Sequence, residues 1–260
     1  MNSQKARLFL SIAAGLLFVV STGCLPPPQY VDIDEQGDIA LISFALDRSI
    51  VGTGNEKDTG PGLLQSKKRY YAGHDETLDS LWKYFRENIR IAFLNVPFVG
   101  WEEIAANKKY QELSRHTPKI IMGQDIAPGA NMLTPEGINY ISSYNDEKLD
   151  SVAKLFNVQT LLLIENRMGY DSSSALFSIK TSHLNLFTEI KLYQAGKGII
   201  MEHTFAAKSD NAMSLVAGEA NAKHFPVHAP SAAMNVIEQI RPYLVRQKQN
   251  AAMQAAEGEG

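Results

Sequence analysis

The residues of this chain with chemistry to offer are six histidines, one cysteine and a few short acidic, serine and glycine runs. His224-Phe225-Pro226-Val227-His228 sets two imidazoles four residues apart, a spacing at which one helix face can present both to a metal ion. Pro226 between them favours a loop, and no third ligand lies nearby, so solvent-facing histidines are expected. His183 and His203 fall on the two arms of a predicted hairpin with its turn at 195–197. Residue 203 then lies opposite about residue 189, so these two imidazoles do not meet. Asp32-Ile33-Asp34-Glu35-Gln36-Gly37 has the spacing of the start of a calcium loop, but Ser43 stands where the bidentate glutamate belongs. An acidic lead-in to a strand is the better reading. Gly52-Thr53-Gly54 is followed by Lys57 at the third glycine position of a dinucleotide fingerprint, and no helix opens there. Ser172-Ser173-Ser174 lacks the flanking glycines of a nucleophile elbow. Catalytic residues, metal ligands and a cofactor site are therefore not expected, and the chain does not read as an enzyme.

The cysteine is the exception. Lys5 and Arg7 precede Leu8–Val20, an apolar run of 13 residues. As a helix that run would rise roughly 20 Å, short of a hydrocarbon layer of about 30 Å. It suits the centre of a signal peptide. Ser21-Thr22-Gly23-Cys24 follows, small residues before a thiol, and it resembles the lipobox of bacterial lipoproteins, with Ser21 where leucine is commonest. The resemblance implies cleavage between Gly23 and Cys24 and attachment of acyl chains such as palmitate to Cys24. One chain gives marginal membrane binding, and several on one residue make release slow. Leu25, where an aspartate would retain a lipoprotein at the inner membrane, implies outer-membrane sorting with the body facing the periplasm. Pro26-Pro27-Pro28 reads as a stiff spacer. With Cys24 as the single cysteine, an internal disulfide is excluded, as is cysteine catalysis once the thiol is acylated. The formal charge of −3 becomes more negative when Lys5 and Arg7 leave, which argues against nucleic acid as a partner.

These features need a body to carry them, and 45% hydrophobic with 20% charged residues is globular composition. Ile39–Ala45 reads as a buried strand and 51–65 as a glycine-rich loop. Lys67-Lys68-Arg69 with Tyr70-Tyr71 forms a small basic-aromatic patch, read as a solvated loop. Asp75 can cap a helix on which Leu78, Leu81, Trp82, Phe85, Ile89 and Ala92 share a face. Val96–Val99 suggests a short edge strand, demoted by Pro97. Glu102–Leu113 suggests a second helix, and 116–143 a long irregular insert. Asn145 or Asp146 caps a helix through Leu149, Val152, Ala153 and Phe156, closed by Asn157. Thr160–Glu165 is the expected central strand. Leu184–Tyr193 and Gly198–Ala207 flank a turn at Ala195-Gly196-Lys197. Pro230 suits the first turn of a last helix bearing Ala233, Val236, Ile237, Ile240 and Leu244, kinked by Pro242. The expected fold is α/β (α+β): one mixed sheet of about five strands with helices packed on it. The expected division is leader 1–23, lipidated linker 24–37, body 38–247 and disordered tail 248–260.

The order of elements is similar to the α/β domain shared by the curli-secretion lipoprotein, the amino-terminal domain of the Tol-Pal translocation protein and the lipoprotein activators of penicillin-binding proteins. The likeness rests on the helix Leu149–Phe156 running through Asn157-Val158 into Thr160–Glu165, and on Leu192-Tyr193-Gln194-Ala195-Gly196-Lys197 leading into Ile199-Ile200. It covers roughly Ile39–Val245 and departs from the family pattern where the aspartates of both motifs are absent. It implies an envelope adaptor or assembly factor that binds another envelope protein, without a reaction and without site residues to transfer. The alternatives are a subunit of an oligomeric outer-membrane channel, since homo-oligomers occur in that group, or a lipoprotein that binds a small ligand.

Overall fold

A computed structural model describes residues 31–32, 36–52, 69–70, 74–94, 96–113, 119–121, 124–126, 132–141, 145–170, 180–216, 219–220 and 222–245. The leader, Cys24, the triproline spacer and the tail at 248–260 lie outside the described residues, as do Asp34, Gly54, Lys67, Lys68, Tyr71 and Ser172–Ser174.

Four long strands make the sheet: β2 (Ile39–Gly52), β7 (Thr160–Tyr170), β8 (Lys180–Gln194) and β9 (Gly198–Val216). Three strands of two residues complete it, β3 (Arg69–Tyr70) and β6 (Met132–Leu133) on β2, and β10 (Glu219–Ala220) on β9. The pair β2–β7 is parallel and the others are antiparallel, so the sheet is mixed as expected. Parallel neighbours need a crossover rather than a hairpin, and α4 (Asp146–Leu155) lies on that path. Asn145 caps α4 by accepting from the Lys148 N–H at 2.9 Å, and Asn157 ends it at φ +52°. The β8–β9 turn is the predicted one. Gly196 stands there at φ +74°, a conformation glycine adopts without strain.

Side chains alternate across the sheet. Phe44, Ile164 and Ile190 lie in one row, on the face covered by α1 (His74–Ala92) and α5 (Phe225–Ile240). Phe44 meets Trp82 and Phe85 of α1 with ring centroids 5.2 and 5.4 Å apart, and α1 packs on α5. The predicted stripe of α1 is buried at Leu78, Leu81, Phe85, Ile89 and Ala92. Ser43, Leu163 and Lys191 form the adjacent row on the opposite face. There Tyr110 is buried. Its hydroxyl donates to the Ile42 carbonyl at 2.5 Å and accepts from the Asn139 N–H at 2.9 Å, joining the insert to β2.

Several local expectations change. The helix read at 102–113 is two short ones, α2 (Trp101–Ala106) and α3 (Lys108–Leu113). Asn107 between them is extended, and its side-chain oxygen accepts from the Tyr110 N–H at 3.1 Å, restarting the helix as a cap. The last helix begins at Phe225, with Pro226 in its first turn and Pro230 inside it. Both prolines are compatible with a helix start, which is why the later one misled. Leu244 is not on that helix. Pro242 turns its end into a 3₁₀ turn, and β11 (Leu244–Val245) then pairs in parallel with β1 (Val31–Asp32). The segment 96–99 gives one bridge, Phe98 to Ile39, rather than a strand. Helix α1 starts at His74, which places Asp75 in its first turn instead of at the cap. The insert at 116–143 holds a small hairpin, β4 (Lys119–Ile121) with β5 (Gln124–Ile126), and contributes β6 to the main sheet. Gly137 in this insert is required by space as well as by its φ of +77°, because a Cβ there would sit 2.5 Å from the Ala105 Cβ.

The outer edge of β9 is guarded from α5. Ser231, Asn235 and Gln239 recur every fourth residue along one helix face. The Asp210 N–H donates to Ser231 Oγ at 3.2 Å, Asn235 Nδ2 donates to the Lys208 carbonyl at 2.9 Å, and Gln239 Nε2 donates to the Ala206 carbonyl at 3.1 Å. These are the outward backbone groups that another strand would use.

Tyr110→Phe leaves a buried carbonyl and a half-buried N–H without the hydroxyl between them. The expected loss of stability is about 1–3 kcal/mol, measured by urea denaturation. An unchanged midpoint would show that the hydroxyl does not join the insert to the sheet.

Candidate functional site

On the face opposite α1 and α5, charged residues alternate along the strands. Glu165 and Arg167 are two apart on β7, as are Glu189 and Lys191 on β8. A spacing of two places each pair on one face. The register then brings them together: Glu165 lies opposite Glu189, Leu163 opposite Lys191, and Lys191 opposite Glu202 of β9. Arg167 binds one carboxylate oxygen of Glu165 through both Nη2 at 2.9 Å and Nε at 3.3 Å. That hydrogen bond raises the guanidinium pKa further above its ordinary value. The second oxygen of Glu165 meets the Tyr140 hydroxyl at 3.4 Å. Lys191 Nζ lies 3.0 Å from Glu202 and 3.4 Å from Glu189, and its side chain is only 10% exposed.

Between this charged row and the insert lies a cleft of about 280 Å³, lined on its apolar side by Met132, Ile141 and Leu163 and on its polar side by Tyr140, Glu165, Arg167, Glu189 and Lys191. The Ser43 hydroxyl oxygen at its floor accepts from the Ile141 N–H at 3.0 Å and so holds the insert in place. Exposed ion pairs contribute little to stability. Lys191 is different: it is nearly enclosed and separates two carboxylates on neighbouring strands, so its removal would set like charges side by side. The arrangement can hold a ligand or partner that carries charge.

The residues singled out from the sequence lie elsewhere. His224 ends a 3₁₀ turn at Ala222–His224 and precedes α5, and His228 lies in the first turns of α5, so the segment is helical and not a loop; helix formation carries through Pro226 because a proline in the first turn has no hydrogen bond to lose. His183 Nδ1 is 2.6 Å from the Ser209 carbonyl, and His183 lies opposite Ala212. His203 is opposite Ile190, one residue from the expected position, and packs against Phe205 and Tyr243 with centroids 4.6 and 4.8 Å apart. Asp32 pairs with Val245 in the β1–β11 sheet. Gly52 ends β2, and Arg69 lies in β3. Among the described residues, no group of three or more His, Cys, Asp or Glu can hold a metal ion, and no helix is long and apolar enough to cross a membrane. Glu165, Arg167, Glu189 and Lys191 were missed. Their signal was present as two acid-x-base triplets, Glu165-Asn166-Arg167 and Glu189-Ile190-Lys191, but only strand register shows that the two triplets are neighbours. No protein-family model matches this chain, and comparison with curated proteins finds no match.

Two histidines predict a pH dependence. Burial lowers the pKa of His74, and burial together with the nearby His224 lowers that of His228, from an ordinary value of 6.5. The folded chain therefore holds both neutral where the unfolded chain has begun to take up protons. This contribution to stability is complete above pH 6.5 and is lost as pH falls through the folded-state values. Thermal midpoints should decline on acidification below pH 6.5, and His228→Gln should shrink the decline. Equal acid sensitivity in that variant would remove His228 from the explanation.

Proposed function

We propose that the chain is a lipid-anchored, non-catalytic adaptor or assembly factor of the cell envelope, held at the outer membrane through Cys24 with its body in the periplasm, and that the sheet face bearing Glu165, Arg167, Glu189, Lys191 and Glu202 receives a protein partner. The observation that carries this reading is that face. Its β2–β7 side lies under the insert, and along β7, β8 and β9 it presents three carboxylates and two cations, Glu165, Glu189 and Glu202 with Arg167 and Lys191, beside a cleft. Charged surfaces of this kind steer encounter and set orientation. The anchor is supported by the basic start, the apolar run Leu8–Val20 and Ser21-Thr22-Gly23-Cys24. The similarity to envelope adaptor domains supports the same class of role. Distance adds a constraint. The stretch from Cys24 to Val31, where β1 begins, reaches at most roughly 25 Å. A body tied by β1–β11 at that point works close to the membrane surface.

Mass spectrometry of the protein from its native envelope should find an amino-terminal Cys24 carrying acyl chains, and Cys24→Ala should appear in the soluble fraction. An unmodified Cys24 with residues 1–23 still attached would defeat the anchor. A photo-crosslinker at Thr204, on the charged face, should capture one discrete envelope protein, and the charge reversal Lys191→Glu should weaken that capture about tenfold. Capture that ignores the reversal would reject the docking face while leaving the anchor intact.

A further inference from the structure

The cleft offers both signs of charge, and the two signs are not equally engaged. Arg167 gives Nε and Nη2 to Glu165, has Asp47 and Glu189 as further charged neighbours, and its side chain is 54% exposed. Glu189 meets Lys191 only at 3.4 Å, long for a charge-assisted hydrogen bond. The two groups with hydrogen-bonding capacity to spare are therefore a guanidinium and a three-quarters-buried carboxylate. Glu165 is directly opposite Glu189, and Arg167 is two residues along β7 on the same face. Arg167 and Glu189 are thus diagonal neighbours, with about 7 Å between their side-chain stems.

Charge balance selects the ligand. A lone anion drawn to Arg167 also faces the carboxylates of Glu165, Asp47 and Glu189. A lone cation drawn to Glu189 also faces Arg167 and Lys191. A molecule with an ammonium and a carboxylate on one carbon matches both groups, and desolvating its charges is offset only when each finds its partner. The opposite wall, Met132, Ile141 and Leu163, is apolar, and the volume of about 280 Å³ suits a compact side chain. We propose that this cleft binds a free α-amino acid with an apolar side chain, its carboxylate on Arg167, its ammonium on Glu189 and its side chain against Met132 and Ile141. The proposal uses the face on which the adaptor reading relies but does not need the tether or a protein partner, so either can fail alone.

The test is titration calorimetry of the intact protein in detergent with L-leucine, and in parallel with N-acetyl-L-leucine and L-leucinamide, each of which lacks one charge. Saturable binding of leucine is expected, with both derivatives at least about tenfold weaker. Arg167→Ala and Glu189→Gln should each weaken leucine binding at least about tenfold while the far-ultraviolet dichroism stays that of the parent. No saturable heat with leucine at millimolar concentration overturns the proposal. So does equal binding of either derivative, a result that needs no variant and therefore holds even if a substitution perturbs the fold.

Discussion

The parallel register of β2 on β7 is the constraint on which the rest depends. Ile39 lies opposite Thr160 and Phe44 opposite Ile164, and β8 continues the pattern with Ile190 beside Ile164. This alignment sends Phe44, Ile164 and Ile190 to the helices and sends Leu163, Glu165, Arg167, Glu189 and Lys191 to the other face. Because strands alternate with a period of two, a slip of one residue would press four charges against α1 and α5. The apolar row therefore sets the register, and the charged cleft is its by-product on the opposite side.

Edges are managed as carefully as faces. On the β2 side, short pieces of chain close the sheet: β3, β6, and the bridges of Phe98 to Ile39 and Asn139 to Ser43. On the β9 side, three polar side chains of α5 occupy outward backbone groups. An unguarded strand of 19 residues would be a template for pairing with other chains. The same helix that covers the apolar face with Ala232, Ala233, Val236 and Ile240 thus supplies the guard from the next turn of its surface.

The ends of the body are joined as well. The β1–β11 pair brings Val31 next to Leu244, and Gln36 holds Asp32 and Thr160 through its side chain and backbone. A pull applied ahead of residue 31 is therefore delivered to a sheet and a helix together rather than to a loose strand.

Much of this was legible in the chain. The α1 stripe, the Asn145 cap, the Asn157 terminator, the Thr160 strand and the Gly196 turn are local signals, and local signals survive because caps, turns and amphipathic periods act within a few residues. The break at Asn107, the early start of α5 and the β11 strand needed tertiary contacts to decide between options that neighbouring residues leave open: a cap or a helix interior, one proline or another, a last helical turn or a strand. The cleft was further from reach. Glu165 and Glu189 are 24 positions apart in sequence yet opposite in space, and alternation alone tells which residues share a strand face without telling which strands are neighbours. Sequence determined the elements, the apolar stripes and the thiol. Only the folded sheet decided which charges meet, because pairing between strands is set by the total burial of the core, a quantity no single segment contains.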